Sequence, residues 1–418
     1  MKKADLLIVH AELATMRGGA GPRRGPEQSE VGFIPGGAVA VVDGKIAAAG
    51  PSDSVLRDYK AKKSATIDAT GKLVTPGLVD PHTHLIFAGS REDEFERRLK
   101  GASYMEIAQA GGGILSTVDR VRAASRAELV RLARPRLRAM LAHGTTTAEV
   151  KSGYGLSTVD EIKTLEAVRE LAKLEPVDLV PTFMGAHEVP REYANRRTEY
   201  VDFVIKEMIP AVAEKRLAKF CDVFCEIGVF SMDQSRAILE AGKKAGLAPK
   251  IHAEEFKAIG GAELAADIGA VSADHLMMVN DRGIRALKRG PTVAVLLPGT
   301  TYFLGSGTYA PARKFVEEGV PVALGSDFNP GSCMNFNLQM VLSMACTQMK
   351  LTPAEALVAV TINAAHACGV ANYVGSLEPG KKADLVVWGA PNVKYLAYQF
   401  GVNQAETVVK AGKRVLSP

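Results

Sequence analysis

Short apolar runs alternate with longer segments of helical period through the middle of the chain. Eight runs, at 73–80, 145–150, 178–184, 219–226, 249–252, 270–275, 292–297 and 320–327, have the length and residue types of buried strands. Between them apolar residues recur at helical spacing, as in Ile162, Leu165, Val168 and Leu171, so that each helix has one stripe to bury. Helix starts are marked by Ser125-x-x-Glu128, Thr158-x-x-Glu161, Ser231-x-x-Gln234 and Thr352-x-x-Glu355, with Pro353 at the first helical position. At that spacing a side chain and a backbone amide cap each other reciprocally. Strands alternating with helices predict parallel βαβ units, which close most simply as a (β/α)8 TIM barrel over residues 74–373. An open doubly wound sheet shares the alternation, but no G-x-G-x-x-G opens a helix after the first strand.

The two ends of the chain read differently. Short β-like runs at 6–9, 38–42, 45–49, 384–388 and 407–410 are joined by turn pairs such as Asp43-Gly44. Residues 1–73 and 374–418 are therefore expected to form one small β-sandwich domain built from both termini, giving an α/β chain of two units. The Gly- and Arg-rich stretch 17–25 is expected to be a flexible, solvated loop, and 91–100 a solvated helix face with Arg91 as the exception.

Composition narrows the class without choosing a function. Of 418 residues 47% are hydrophobic and 23% charged, which excludes disorder and collagen-like structure. A formal charge of +5 is too small to argue for nucleic acid or an anionic membrane as partner. No stretch reaches the ~18 consecutive apolar residues of a membrane helix. The apolar run at 6–9, preceded by Asp5, reads as an opening strand rather than a signal peptide. Five cysteines without a Cys-x-x-Cys spacing point to buried thiols in a reducing cytoplasm, not to disulfides or a thiolate zinc site.

The histidines carry the chemistry. Five of the eight, His82, His84, His187, His252 and His275, fall at or just past the carboxyl end of an expected strand. In an α/β barrel that edge is where active sites assemble. His82 and His84 flank Thr83, and positions i and i+2 of an extended segment face the same way, so both imidazoles can reach one ion. With His252 and Asp327 they make four ligands from three strand ends, a set suited to zinc, iron, nickel or cobalt. A catalytic site of this kind keeps a position open for water and lowers its pKa toward ~7. Asp327 can also take a proton from that water during attack.

The run Val74-Thr75-Pro76-Gly77-Leu78-Val79-Asp80-Pro81-His82-Thr83-His84 resembles the first-strand signature of the amidohydrolase superfamily. Residues 375–385, Gly-Ser-Leu-Glu-Pro-Gly-Lys-Lys-Ala-Asp-Leu, are similar to that superfamily's return into the β domain. Segments 87–91, 151–156, 183–187, 252–255 and 326–332 are similar to one branch of it, over essentially the full chain. The resemblance implies hydrolysis of a cyclic amide, 4-imidazolone-5-propanoate, to N-formimidoyl-L-glutamate in histidine degradation. Another heterocycle handled by the same superfamily is the alternative. It implies His82, His84, His252 and Asp327 as metal ligands, and Arg91, Tyr154, His187, Glu255, Asn329, Gly331 and Ser332 around the substrate.

The residue types agree with these roles. Arg91 offers a planar fork for the propanoate carboxylate. Tyr154 stands between two glycines that allow close approach, and His187 can donate to a carboxylate or a ring carbonyl. Glu255, three residues past His252, can hold a ring N–H or relay a proton. His275, after Asp274, is expected beside the metal ligands, orienting water or shuttling its proton. Superfamily members with two metals commonly bridge them through a modified lysine ending the fourth strand. No lysine stands there in this chain, and Lys151 follows the second strand instead, so one zinc or iron ion per subunit is expected. Related enzymes suggest a homodimer.

Overall fold

The computed structural model describes residues 1–102, 106–107 and 111–416. Eight parallel strands form its centre: β1 (Leu78–Asp80), β2 (Thr145–Lys151), β3 (Asp178–Ala186), β4 (Phe220–Cys225), β5 (Ala248–Ala253), β6 (Ser272–His275), β7 (Val293–Leu296) and β8 (Val322–Leu324). Each pairs with its neighbour in chain order, the sequential order of a barrel rather than of a doubly wound sheet. Closure between β8 and β1 is made just beyond the strands, where the Asp327 amide donates to the His82 carbonyl (3.0 Å) and the His84 amide to the Phe328 carbonyl (2.9 Å). The seam of the barrel therefore runs through the histidine motif.

Helices including Arg126–Ala142, Thr158–Leu174, Met232–Lys244 and Asp281–Arg289 follow the strands. Leu165, Val168 and Leu171 bury the expected stripe, with Ile162 half-buried at its margin. Complete capping boxes form at Ser231/Gln234 and Thr352/Glu355, and Ser125 caps through the Glu128 amide. The Thr158 box does not form. Ser157 is the cap, accepting from the Asp160 amide, because the Glu161 carboxylate is engaged by loop amides described below.

The run 73–80 divides at Gly77. Leu73–Pro76 pairs antiparallel with Leu385–Trp388, while Leu78–Asp80 is β1. A Cβ at Gly77 would sit 2.2 Å from Thr146 Oγ1, so only glycine lets the chain pass so close to β2. Both termini meet in a mixed eight-stranded sheet. It encloses an apolar cluster to which Leu6, Ile8, Leu13, Val39 and Val41 contribute from one end of the chain and Leu385, Val387 and Val409 from the other. Fully buried Trp388 donates to Thr75 Oγ1 (2.9 Å) and lies against Gly144, next to the start of β2, which docks this sheet on the barrel.

The segment 17–25 is not wholly solvated. Arg23 is buried, its amide donating to Asn363 Oδ1 at 2.7 Å and its guanidinium to the Arg17 carbonyl at 2.9 Å. All five cysteines are free thiols, four of them buried. Among the described residues no helix is long and apolar enough to cross a membrane.

Candidate active site and metal centre

The barrel brings all five strand-end histidines into one cluster at its carboxyl edge. Ring centroids lie 4.5 Å apart for His82 and His252, 5.1 Å for His252 and His275, and 4.9 Å for His84 and His187, which stack. His252 Nε2 is 3.4 Å from His84 Nε2, and Asp327 Oδ1 is 3.4 Å from His82 Nε2 and 3.7 Å from His84 Nε2. Ligand atoms of His82, His84 and His252 lie within 4.8 Å of one another, and so do those of His82, His275 and Asp327. His275 thus stands at ligand distance from its neighbours.

Whether the donor set fits a metal depends on what the imidazole nitrogens otherwise do. His82 Nδ1 meets Asp274 Oδ2 at 2.6 Å, and His252 Nδ1 meets Asp222 Oδ1 at 3.0 Å. Each contact fixes the ring and points Nε2 into the cluster, the carboxylate–histidine arrangement that supports metal ligands. His82 Nε2 is buried with no hydrogen-bond partner. Burial holds His82, His84 and His275 well below the ordinary histidine range, leaving neutral imidazoles with lone pairs to give. Burial raises Asp327 to about 6 in the metal-free chain. Three imidazoles, a carboxylate and no thiolate suit a transition-metal ion, so the residues present fit the group.

The backbone is strained here. Asp327 (φ 51°), His275 (φ 76°) and Glu254 (φ 56°) all adopt left-handed conformations, a clustering typical of sites where side-chain aim outweighs local comfort.

The rest of the pocket is built from loops. Arg91, Tyr154, His187, Glu255, Asn329, Gly331 and Ser332 all line it, together with His84, His252, His275 and Asp327. Arg91 is buried, contrary to its polar surroundings in sequence, with Nε 2.9 Å from Glu94 Oε2. Glu94 Oε1 in turn accepts from the Gly113 amide (3.1 Å) and the Ser116 hydroxyl (3.2 Å). The Glu161 carboxylate accepts from the amides of Gly153, Gly155 and Leu156 at 2.8–3.1 Å, shaping the turn that presents Tyr154. His187 Nδ1 bonds the Gly153 carbonyl at 2.9 Å, and burial takes this imidazole down to about 3. Asn329 uses its own amide to fold the loop: Oδ1 accepts from the Gly331 and Ser332 amides, both at 2.8 Å, and Nδ2 donates to the Asp327 carbonyl at 2.7 Å. Glu255 Oε2 lies 3.7 Å from His275 Nε2. Burial first, then the charges of Asp327 and Glu226, hold Glu255 well above the usual carboxylate range.

Residues 73–415 match the amidohydrolase family. The chain is 53% identical over 409 residues to an imidazolonepropionase of Geobacillus kaustophilus, covering 97% of this chain and 96% of that one. It is 52% identical over 419 residues to an imidazolonepropionase of Symbiobacterium thermophilum, covering 100% and 98%. The chain belongs to the amidohydrolase family, in its imidazolonepropionase branch.

More distant solved structures share the fold. A zinc-bound adenosine deaminase from Xanthomonas campestris superposes with a TM-score of 0.73 at 19% identity, covering 100% of this chain and 94% of that one. Guanine deaminase of E. coli gives 0.71 at 17%, covering 99% of each.

Two groups of residues at the site lie outside the roles expected from the sequence, where Lys151 and Asp274 enter only by position. Ile114, Phe224, Phe256 and Leu304 supply apolar wall to the pocket, and nothing in their spacing separates them from core. Glu149, Lys151, Asp222, Lys250 and Asp274 lie beneath the histidines with no exposed surface. Their signal was available: charged residues inside otherwise apolar strand runs have to be paired.

Proposed function

We propose that this chain hydrolyses 4-imidazolone-5-propanoate to N-formimidoyl-L-glutamate, with one zinc or iron ion per subunit held by His82, His84, His252 and Asp327. The reading is carried by one pocket that joins a histidine–aspartate donor cluster to a buried arginine, in a chain about half identical to imidazolonepropionases along its full length. Family resemblance also supports a homodimer and a cytoplasmic location.

A bound transition-metal ion supplies Lewis acidity and makes water nucleophilic at neutral pH. The protein's own groups do the rest. Arg91 pairs with the propanoate carboxylate, and Tyr154 and His187 bind beside it, so that the ring carbonyl carbon is held for attack. Asp327 accepts a proton from the attacking water, whose oxygen bonds to that carbon. Glu255, whose burial favours the protonated form, donates to the departing ring nitrogen as the carbon–nitrogen bond breaks. His275, 3.7 Å from Glu255 and grouped with Asp327, returns the proton from Asp327 to Glu255; the water's second proton passes to solvent, and the former carbonyl carbon leaves as a carboxylate.

The test is loss of 4-imidazolone-5-propanoate by ultraviolet absorbance, with elemental analysis of the same preparation. Metal-dependent turnover to N-formimidoyl-L-glutamate is the expected result. Bound metal without turnover would overturn the substrate assignment and direct the search to other cyclic amides and amino-purines.

A further inference from the structure

Lys151 ends β2 with its side chain fully buried inside the barrel. Its Nζ donates to Asp222 Oδ2 at 2.7 Å and to Glu149 Oε1 at 2.8 Å, and lies 3.8 Å from Asp274 Oδ2. Asp222 belongs to β4, so the contact spans the barrel interior past β3. The other oxygen of the same carboxylate, Oδ1, meets His252 Nδ1 at 3.0 Å. A chain of direct contacts thus runs from an ammonium on β2, through a carboxylate on β4, to a histidine on β5 whose Nε2 faces the donor cluster.

The mechanism makes no use of Lys151, yet burying an ammonium costs several kcal/mol unless its partners repay it. The partners here are specific. Three fully buried carboxylates, Glu149, Asp222 and Asp274, surround two fully buried ammonium groups, Lys151 and Lys250. Only Lys151 comes within hydrogen-bond distance of a carboxylate that touches a histidine of the cluster. Lys250 donates instead to the Pro81 carbonyl at 2.9 Å, with its carboxylate neighbours at 3.8 and 3.9 Å. Without the Lys151 ammonium, Asp222 would keep one oxygen unpaired where water has no access, and nothing would hold the carboxylate plane against His252.

We infer that Lys151 is a positioning residue for the metal centre, acting through Asp222 to fix the ring of His252. The inference rests on the metal-site reading proposed above. A purely structural role would lower folding stability alone, whereas a positioning role lowers metal affinity in protein that remains folded.

The experiment uses the full chain stripped of metal and titrated with zinc against a chromophoric chelator, with circular dichroism and Tm recorded for every variant. Lys151→Met and Asp222→Asn are each expected to weaken zinc binding by about 10–100-fold, the usual cost of losing a group that supports a metal ligand. Because both act on His252 through one path, the double variant is expected to bind within about twofold of Asp222→Asn, where independent effects would multiply. Folded Lys151→Met that binds zinc like the parent, or losses that multiply in the double variant, would overturn the inference. Should Lys151→Met alone fail to fold, Asp222→Asn against the double variant decides the question. The uncompensated carboxylate is then gone, and a further tenfold loss would count against Lys151 acting through Asp222. A parent chain that takes up no zinc would overturn the metal-site reading itself.

Discussion

The two walls of the pocket are held in different ways. On the metal side, support comes from far along the chain: His82 is fixed by Asp274, 192 positions away, and His252 by Asp222, 30 positions away on the neighbouring strand. On the substrate side much of the support is local, although His187 leans on the Gly153 carbonyl 34 positions away and Arg98 reaches the Gly331 carbonyl from 233. Arg91 is held by Glu94 three positions on, the Gly153 amide by Glu161 eight positions on, and the Gly331 amide by Asn329 two positions back. Long-range partners tie the chemistry to the closure of the barrel, whereas local partners let each loop be shaped by its own few residues. This is the physical sense in which one barrel can keep its reaction while its loops choose the substrate.

That contrast can be broken from either side. The largest effect is expected from Asp327→Ala, which removes a candidate ligand and proton acceptor together. Turnover should fall by more than the ~100-fold that loss of a supporting residue costs, and metal content should fall with it. Arg91→Ala should act on the other wall alone. Losing a charge-assisted hydrogen bond of about 1.5–3 kcal/mol raises KM roughly 10–100-fold for a substrate with a carboxylate tail, with metal content unchanged. A loss of metal in this variant would show that the walls are coupled.

Gly331→Ala sharpens the same point more gently. A Cβ there would stand 2.0 Å from Arg91 Nη1, so the guanidinium must shift. KM should rise by less than in Arg91→Ala, again without loss of metal.

The smallest effect lies outside both walls, at His366. Burial first, then the charge of Lys381, lowers this imidazole to about 4, against an unfolded value of ~6.5. Between those values the unfolded chain binds the extra proton, so stability rises with pH through the window and is lost as pH falls through it. The Tm of the metal-free chain should drop between pH 6.5 and 4, and His366→Gln should make that slope shallower. An unchanged slope in the variant would assign acid sensitivity to the histidine cluster instead.

Strand positions were legible because strands of a parallel barrel are buried on both faces and read as continuous apolar runs. Their ends were less so. The run 320–327 contains only Val322–Leu324 as strand, and Gly325, Ser326 and Asp327 leave the ladder, the Ser326 amide donating to Asp80 Oδ1 and Asp327 entering the site. Gly77 shows the same limit: composition marks a run, but whether Leu73–Pro76 pairs in the barrel or in the terminal sheet depends on distant partners. The cap falls at Ser157 rather than Thr158 because Glu161 has a use that its spacing does not reveal.

The alternation that closes as a barrel, the histidines at its carboxyl edge and a residue set that resembles one enzyme family are all written in the amino-acid sequence. These depend on local periodicity and on which side chains can bind a metal or a carboxylate, and both are properties of residues and their spacing. Which carboxylate faces which imidazole, the burial of Arg91 on Glu94 and the reach of Lys151 to Asp222 across the barrel all depend on the folded arrangement. Such pairings are set by where strands far apart in the chain come to lie. A strand's alternation says which way a side chain points and leaves open what it meets.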